Sequence, residues 1–298
     1  MKTALHTISY AGVWPGQAQL SLGETLRRIG DLGYNGAMIA AKRPHLSILD
    51  YDDDAVRRLR GELDQAGVGV ACLAGYNNLS AGADYPDVPL GEMQIAYITR
   101  LAQITQALGG RIVRVFTAYG HPALSEAALR QRVVTGLKEA ARRAADYGCT
   151  LAVQHHHDFA AHWQLLGDLL TEIDEPNCRA GFDAWAPMLQ GEDLSAAARA
   201  MAPLTVQTIV ADYVYRPRFR YVPELVNYEP QLPLVQAVPM GTGMIDYQAF
   251  LSALVGGGYE GYIIYEMCSP LLGGGSLENL DRCARQFLEW VRSHGFAD

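Results

Sequence analysis

The stretch GEMQIAYITRLAQITQALGGRIVRVFT, residues 91–117, decides the fold. Apolar residues recur at helical spacing up to Leu108, two glycines follow, and RIVRVFT (111–117) then begins a short run rich in Val and Ile. A helix stopped by glycine and followed at once by a short apolar strand is half of a parallel crossover unit.

Moving outward in both directions, the same succession returns. Strand-like runs are ALHTISY (4–10), GAMIAA (36–41), VGVACLA (68–74), RIVRVFT (111–117), TLAVQHH (150–156), RAGFDAW (179–185), TVQTIVADY (205–213) and GYIIYEM (261–267). They recur roughly 30 residues apart, with segments such as LGETLRRIGDLG (22–33) and SEAALRQRVVTGLKEAARRAADYG (125–148) between them. Eight strand-then-helix units predict a parallel (β/α)8 barrel, a TIM barrel, because parallel strands need crossovers. No Ser- or Pro-rich linker divides the chain, so residues 1–298 are read as one domain. Residues 213–245, full of Pro, Tyr and Arg, interrupt the rhythm and are expected to form a long loop after strand seven. Its arginines Arg216, Arg218 and Arg220, set among Tyr213, Tyr215, Phe219 and Tyr221, suit a lid or a contact within a homo-oligomer.

Composition narrows the function. Lys+Arg 24 against Asp+Glu 32 gives a net charge of −8, which opposes the phosphate neutralisation that nucleic-acid binding needs. The five cysteines, Cys72, Cys149, Cys178, Cys268 and Cys283, are scattered and never paired as C-x-x-C. Neither a disulfide framework nor a zinc knuckle is suggested, and a reducing, cytoplasmic setting fits. No apolar run approaches the length that spans a bilayer, and MKTALHTISYAGVW lacks a signal-peptide core, so no membrane association is expected.

In such barrels the chemistry sits where strands end. The polar residues there include Lys42 with His45, Asn77, Arg114, the run from Gln154 to Asp158, Asp183, Asp212 and Glu266. Asp183 and Glu266 each end an otherwise apolar strand, RAGFD and GYIIYE, where an unpaired carboxylate would be costly. A divalent cation, a nearby Lys or Arg, or protonation would each relieve that cost. In LAVQHHHDF (151–159), strand alternation puts Gln154 and His156 on one face and His155 and His157 on the other. Two of the three histidines are read as loop or supporting groups, and His156 as the ligand or proton carrier. Gln154 can ligate only through its carbonyl oxygen and cannot act as a base. Arg114, a charge inside RIVRVF, either enters the barrel mouth or lies along the helices; the need to pair a buried charge favours the mouth.

At these residues the chain resembles the xylose-isomerase-like TIM-barrel superfamily, the sugar (phosphate) isomerases and epimerases, with inosose dehydratase, hydroxypyruvate isomerase and metal-dependent AP endonucleases among their relatives. The resemblance rests on QHH (154–156), GFD (181–183), VPMGTGMIDY (238–247) and GYEGYIIYE (258–266). It implies one divalent metal, Mn, Mg, Co or Zn, held here by Gln154, His156, Asp183 and Glu266. It also implies a small carbohydrate substrate; among the polar strand-end residues, Lys42, His45, Asn77, Arg114 and Asp212 are expected to orient it, with Glu266 or His156 as base. Two departures stand out. Gln154 replaces a family glutamate, and IVAD (209–212) puts Ile209 where a family histidine or glutamine would ligate. Gln207 shares the strand face of Ile209 but lies about 6 to 7 Å deeper. The implied reaction is isomerisation or epimerisation of a sugar or keto-polyol through an enediolate. Loss of one carboxylate raises a lyase reading, and loss of two ligands raises that of a non-catalytic, metal-free sugar-binding barrel. An AP endonuclease would need a histidine at Ala186. GGGS (273–276) resembles an anion-cradling turn.

Overall fold

In a computed structural model that describes residues 1–297, eight parallel strands close into a barrel. They are β1 (Lys2–His6), β2 (Gly36–Ala40), β3 (Gly69–Ala74), β4 (Ile112–Phe116), β5 (Thr150–Gln154), β6 (Cys178–Gly181), β7 (Thr205–Val210) and β10 (Tyr262–Tyr265). Each neighbours the next, and β10 closes the ring between β7 and β1. The hairpin β8 (Asp212–Val222) and β9 (Asn227–Val238) leaves the ring after β7.

Alternation along the strands sorts their side chains. Ala4, Met38, Cys72, Ala74, Ile209 and Ile264 pack together inside the ring. Leu5, Leu73, Val113, Val115, Leu151 and Val153 face outward and join the helices in the larger core. Arg114 pairs in register with Ala74 and Ala152, and Phe116 with Gln154, so the inward face carries Arg114 and then, nearer the mouth, Gln154.

The outer layer is α1 (Leu22–Leu32), α2 (Asp53–Ala66), α3 (Leu90–Ala107), α4 (Glu126–Ala145), α5 (Trp163–Ile173), the short α6 (Trp185–Leu189), α7 (Leu194–Met201), α8 (Tyr247–Gly256) and α9 (Leu277–Ser293). Local chemistry sets their ends. Ser21 and Glu24 form a reciprocal capping box on α1, and Gly33 ends that helix at φ +92°, where a side chain would be strained. The seam between first and last elements is pinned by a buried acid: Tyr10 donates to Asp281 Oδ1 at 2.9 Å, and Arg28 pairs with the same carboxylate.

The strands are shorter than their apolar runs. β1 stops at His6 and a 3-10 turn (Thr7–Tyr10) carries Tyr10 to α9. β6 stops at Gly181, and β7 at Val210. The larger difference is the segment after β7, expected as a loop. It is a two-stranded antiparallel sheet, in register from Asp212↔Val238 to Val222↔Asn227 with one irregularity near Pro217. Its alternating residues decide this: Tyr221 meets Tyr228 at 5.3 Å between ring centroids, and Arg220 meets Glu229 at 3.0 Å on the opposite face. The base is held where β9 turns back, since Ala237 donates to Pro270 O at 2.9 Å and accepts from Leu272 N at 2.8 Å.

GGGS is not an open cradle. Asn279 donates to the carbonyls of Leu272 and Gly274, and Ser276 Oγ caps α9 by accepting from Asn279 N. Among the described residues no helix is long and apolar enough to cross a membrane.

Candidate active site

The mouth of the barrel holds a cavity of about 110 Å³. Gln154 and His156 from the end of β5, Asp183 beyond β6, Ile209 from β7 and Glu266 beyond β10 face it. Trp185, Tyr213, Tyr247 and Cys268 complete the wall. The sequence reading did not include these four in the site. Two were within its reach: Cys268 follows Glu266 by one strand period, and Tyr213 had been placed in the segment after strand seven.

Asp183 is nearly buried, and both its oxygens are engaged. Gln154 Nε2 donates to Oδ2 at 2.9 Å, and the backbone N–H of Trp185 donates to Oδ1 at 3.0 Å. His155, on the other strand face, stacks on Phe182 at 4.9 Å and stays 3.7 Å from Asp183. Burial holds its imidazole below the usual range, so it is a neutral packing group.

His156 is solvent-exposed at the rim. Its Nδ1 accepts from the backbone N–H of His157 at 2.9 Å and lies 3.1 Å from His157 Nδ1. Desolvation lowers its pKa, so the ring is neutral at pH 7 and can take or give a proton.

Glu266 differs from Asp183 in its surroundings. Its carboxylate receives a long contact from Cys268 Sγ, 3.4 Å from Oε1, and Tyr213 OH donates to that sulfur at 3.1 Å. Burial raises its pKa, and Arg114, the Cys268 thiol and Lys42 partly offset the rise. A desolvated carboxylate with a raised pKa is a stronger base than a solvated one.

Below the carboxylates lies Arg114, 2% exposed, with Nε and Nη1 lacking any hydrogen-bond partner. It is held by rings: its guanidinium lies 3.8 Å from the Phe116 centroid and 4.9 Å from that of Tyr76. Lys42 Nζ lies 4.1 Å from the same Tyr76 ring. Arg114 therefore points into the barrel, and Tyr76 is a further member that the sequence reading missed.

Three expected substrate contacts are committed elsewhere. Asn77 clamps β3 to β4 by bonding both the N–H and C=O of Phe116, at 2.9 and 2.7 Å. His45 bonds Thr7 Oγ1 and Leu20 O. Asp212 gathers the backbone N–H groups of Tyr213, Gly241 and Gly243 at 2.8 to 3.0 Å. Gly243 is required there, because an added Cβ would come within 1.9 Å of Asp212 Oδ1.

The expected metal shell of Gln154, His156, Asp183 and Glu266 is not assembled as one. Among the described residues no three His, Cys, Asp or Glu side chains converge on a point that could hold an ion. Ile209 fills the β7 position with hydrocarbon, Gln154 turns an N–H rather than a lone pair to Asp183, and only two carboxylates face the cavity. This donor set does not fit a divalent ion that wants three or four well-placed donors.

The sequence profile of the xylose isomerase-like TIM-barrel family matches residues 26–294. No curated protein sequence matches the chain. Among solved structures, a D-psicose 3-epimerase crystallised in the presence of D-fructose is 17% identical, with a TM-score of 0.76 over 100% of both chains. D-psicose 3-epimerase from Clostridium cellulolyticum H10, with D-tagatose, is 15% identical at TM-score 0.77, covering 98% of this chain and 99% of that one. The 3-keto-D-glucoside 4-epimerase from E. coli is 17% identical at TM-score 0.71, again covering 98% and 99%. At these identities the likeness is one of fold.

Proposed function

The chain belongs to the xylose isomerase-like TIM-barrel family, and from that premise we propose that it moves a proton beside the carbonyl of a small keto-sugar or keto-polyol, as an isomerase or epimerase. The observation that carries the reading is Glu266, a desolvated carboxylate at the barrel mouth, set between a polar floor and an apolar wall.

The chemistry follows from that placement. Glu266 takes the proton from the carbon next to the carbonyl, and the electron pair of that bond passes into the carbonyl oxygen. His156, neutral and at the rim, exchanges the hydroxyl proton between the two oxygens of the enediolate. The proton on Glu266 then returns to the neighbouring carbon for isomerisation, or to the opposite face of the same carbon when the intermediate turns. Asp183 is the held partner rather than the base, because its oxygens already accept two hydrogen bonds. With one free base, loss of a β-hydroxyl from the same enolate is the second reading. The divalent metal implied by the family resemblance has no fitting donor set, and no step depends on it.

The test is hydrogen exchange. Incubated in D2O with D-fructose, D-tagatose, D-psicose and L-ribulose, the protein is expected to place deuterium beside the carbonyl of at least one, as read by proton NMR. Glu266→Gln should slow that exchange by about 100-fold or more. Undiminished exchange in that variant would refute the site, and no exchange on any ketose would refute the reaction class. A new unsaturated product would move the assignment to the lyase.

A further inference from the structure

The charge of the mouth balances without an ion. Asp183 and Glu266 are the two acids facing the cavity, and Lys42 and Arg114 are the cations that act on Glu266. Together the two cations carry the charge of one divalent ion. Arg114 is also unusual in its lack of partners: a guanidinium 2% exposed normally has its N–H groups bonded, and here Nε and Nη1 meet nothing. Phe116 and Tyr76 fix the plane of the guanidinium through their rings, while Nε and Nη1 stay without a partner. A preorganised, dry donor fork of this kind is suited to an oxygen that gains charge during reaction.

The ligand positions show the complementary change. The amide of Gln154 lacks the charge of a carboxylate and donates to Asp183, while Ile209 offers no lone pair. We infer that Arg114 and Lys42 take the place of the divalent ion: the mouth holds no divalent metal, and this cation pair receives the oxyanion of the substrate. The inference rests on the keto-sugar reading for the identity of that oxyanion, not for the existence of the site. It makes Arg114 a catalytic residue that binds oxygen, and Lys42 its electrostatic partner across Tyr76.

Two measurements on the full chain test it. Metal-depleted protein titrated with MnCl2 is expected to take up none below about 1 mM, as read from the EPR signal of free Mn2+. Uptake of one equivalent at micromolar concentration overturns the inference. Sodium oxalate, a planar dianion that mimics the enediolate, is expected to bind the metal-free protein by calorimetry. Arg114→Met should weaken oxalate by roughly tenfold or more, and Lys42→Met by less. Arg114→Met removes a buried charge without hydrogen bonds at Nε and Nη1 and leaves an apolar stem against two rings, so the variant should fold; Lys42→Met, nearer the rim, provides a second reading. Absence of oxalate binding, or equal binding in wild type and both variants, overturns the inference. Oxalate binding with no exchange on any ketose removes the isomerase reading and leaves the cation site standing.

Discussion

At the scale of single residues, polar groups at the strand ends divide into those that face reactants and those that hold backbone. Glu266 and Asp212 both lie just past barrel strands, β10 and β7, and both have raised pKa values through burial, yet only Glu266 faces the cavity. Asp212 accepts from four backbone N–H groups, those of Tyr213, Gly241, Gly243 and Ile245, and so fixes the loop between the hairpin and α8. Replacing it with alanine should lower stability by about 2 kcal/mol, measured as a fall in the urea midpoint at constant slope. Asp212→Asn, which keeps acceptor geometry on one oxygen, should lower it by less. The sequence could place both acids at the mouth because each closes an apolar run. It could not tell them apart, because what separates them is the arrival of Gly241 and Gly243, some thirty residues downstream. Arg114 was ambiguous for a related reason: its direction follows from the inward parity of Ala74 and Ala152 on neighbouring strands, which only the register reveals.

At the scale of elements, the eight strands and their helices were legible because each is a local pattern, apolar by alternation or by helical spacing, with glycine at its end. The hairpin was not. Its prolines and arginines read as loop, and its pairing depends on cross-strand partners such as Tyr221 with Tyr228 that no local window contains. The hairpin also packs little into the barrel. From Arg216 to Tyr221 β8 is solvent-exposed, and Leu232 on β9 is 85% exposed. Its base, by contrast, contributes Tyr213 to the cavity and is bonded to the loop after β10. Replacing residues 216–234 by a two-residue Asn-Gly turn, which keeps Tyr215 opposite Val235, should therefore leave the thermal midpoint within about 3 °C of wild type. A loss of 10 °C or more by calorimetry would show that the outer hairpin supports the barrel.

At the scale of the whole molecule, burial of neutral histidines sets the response to acid. His6, His45, His155 and the half-buried His157 have pKa values lowered by burial, His157 to about 4. Below the unfolded value of 6.5 the unfolded chain binds protons that the folded chain refuses, so stability is full above that pH and falls as pH drops toward the folded values. Glu266 and Asp212 act in the opposite sense, since their raised values favour proton uptake by the folded state, but the histidines outnumber them. Going from pH 7.5 to 5.5 should remove about 2 kcal/mol or more of unfolding free energy, read from urea titrations at the two values. An unchanged or higher midpoint at pH 5.5 would contradict this account of the buried histidines. The projecting hairpin has a different consequence for the molecule in a crowded solution. Two strands standing clear of a barrel offer two open edges, each a template on which a neighbouring chain could add a strand. Pro217 on β8 and Pro230 and Pro233 on β9 each remove a backbone N–H from the hairpin, and Arg216 and Arg218 put charge on β8. The same composition that disguised the hairpin as a loop allows it to project without recruiting further strands.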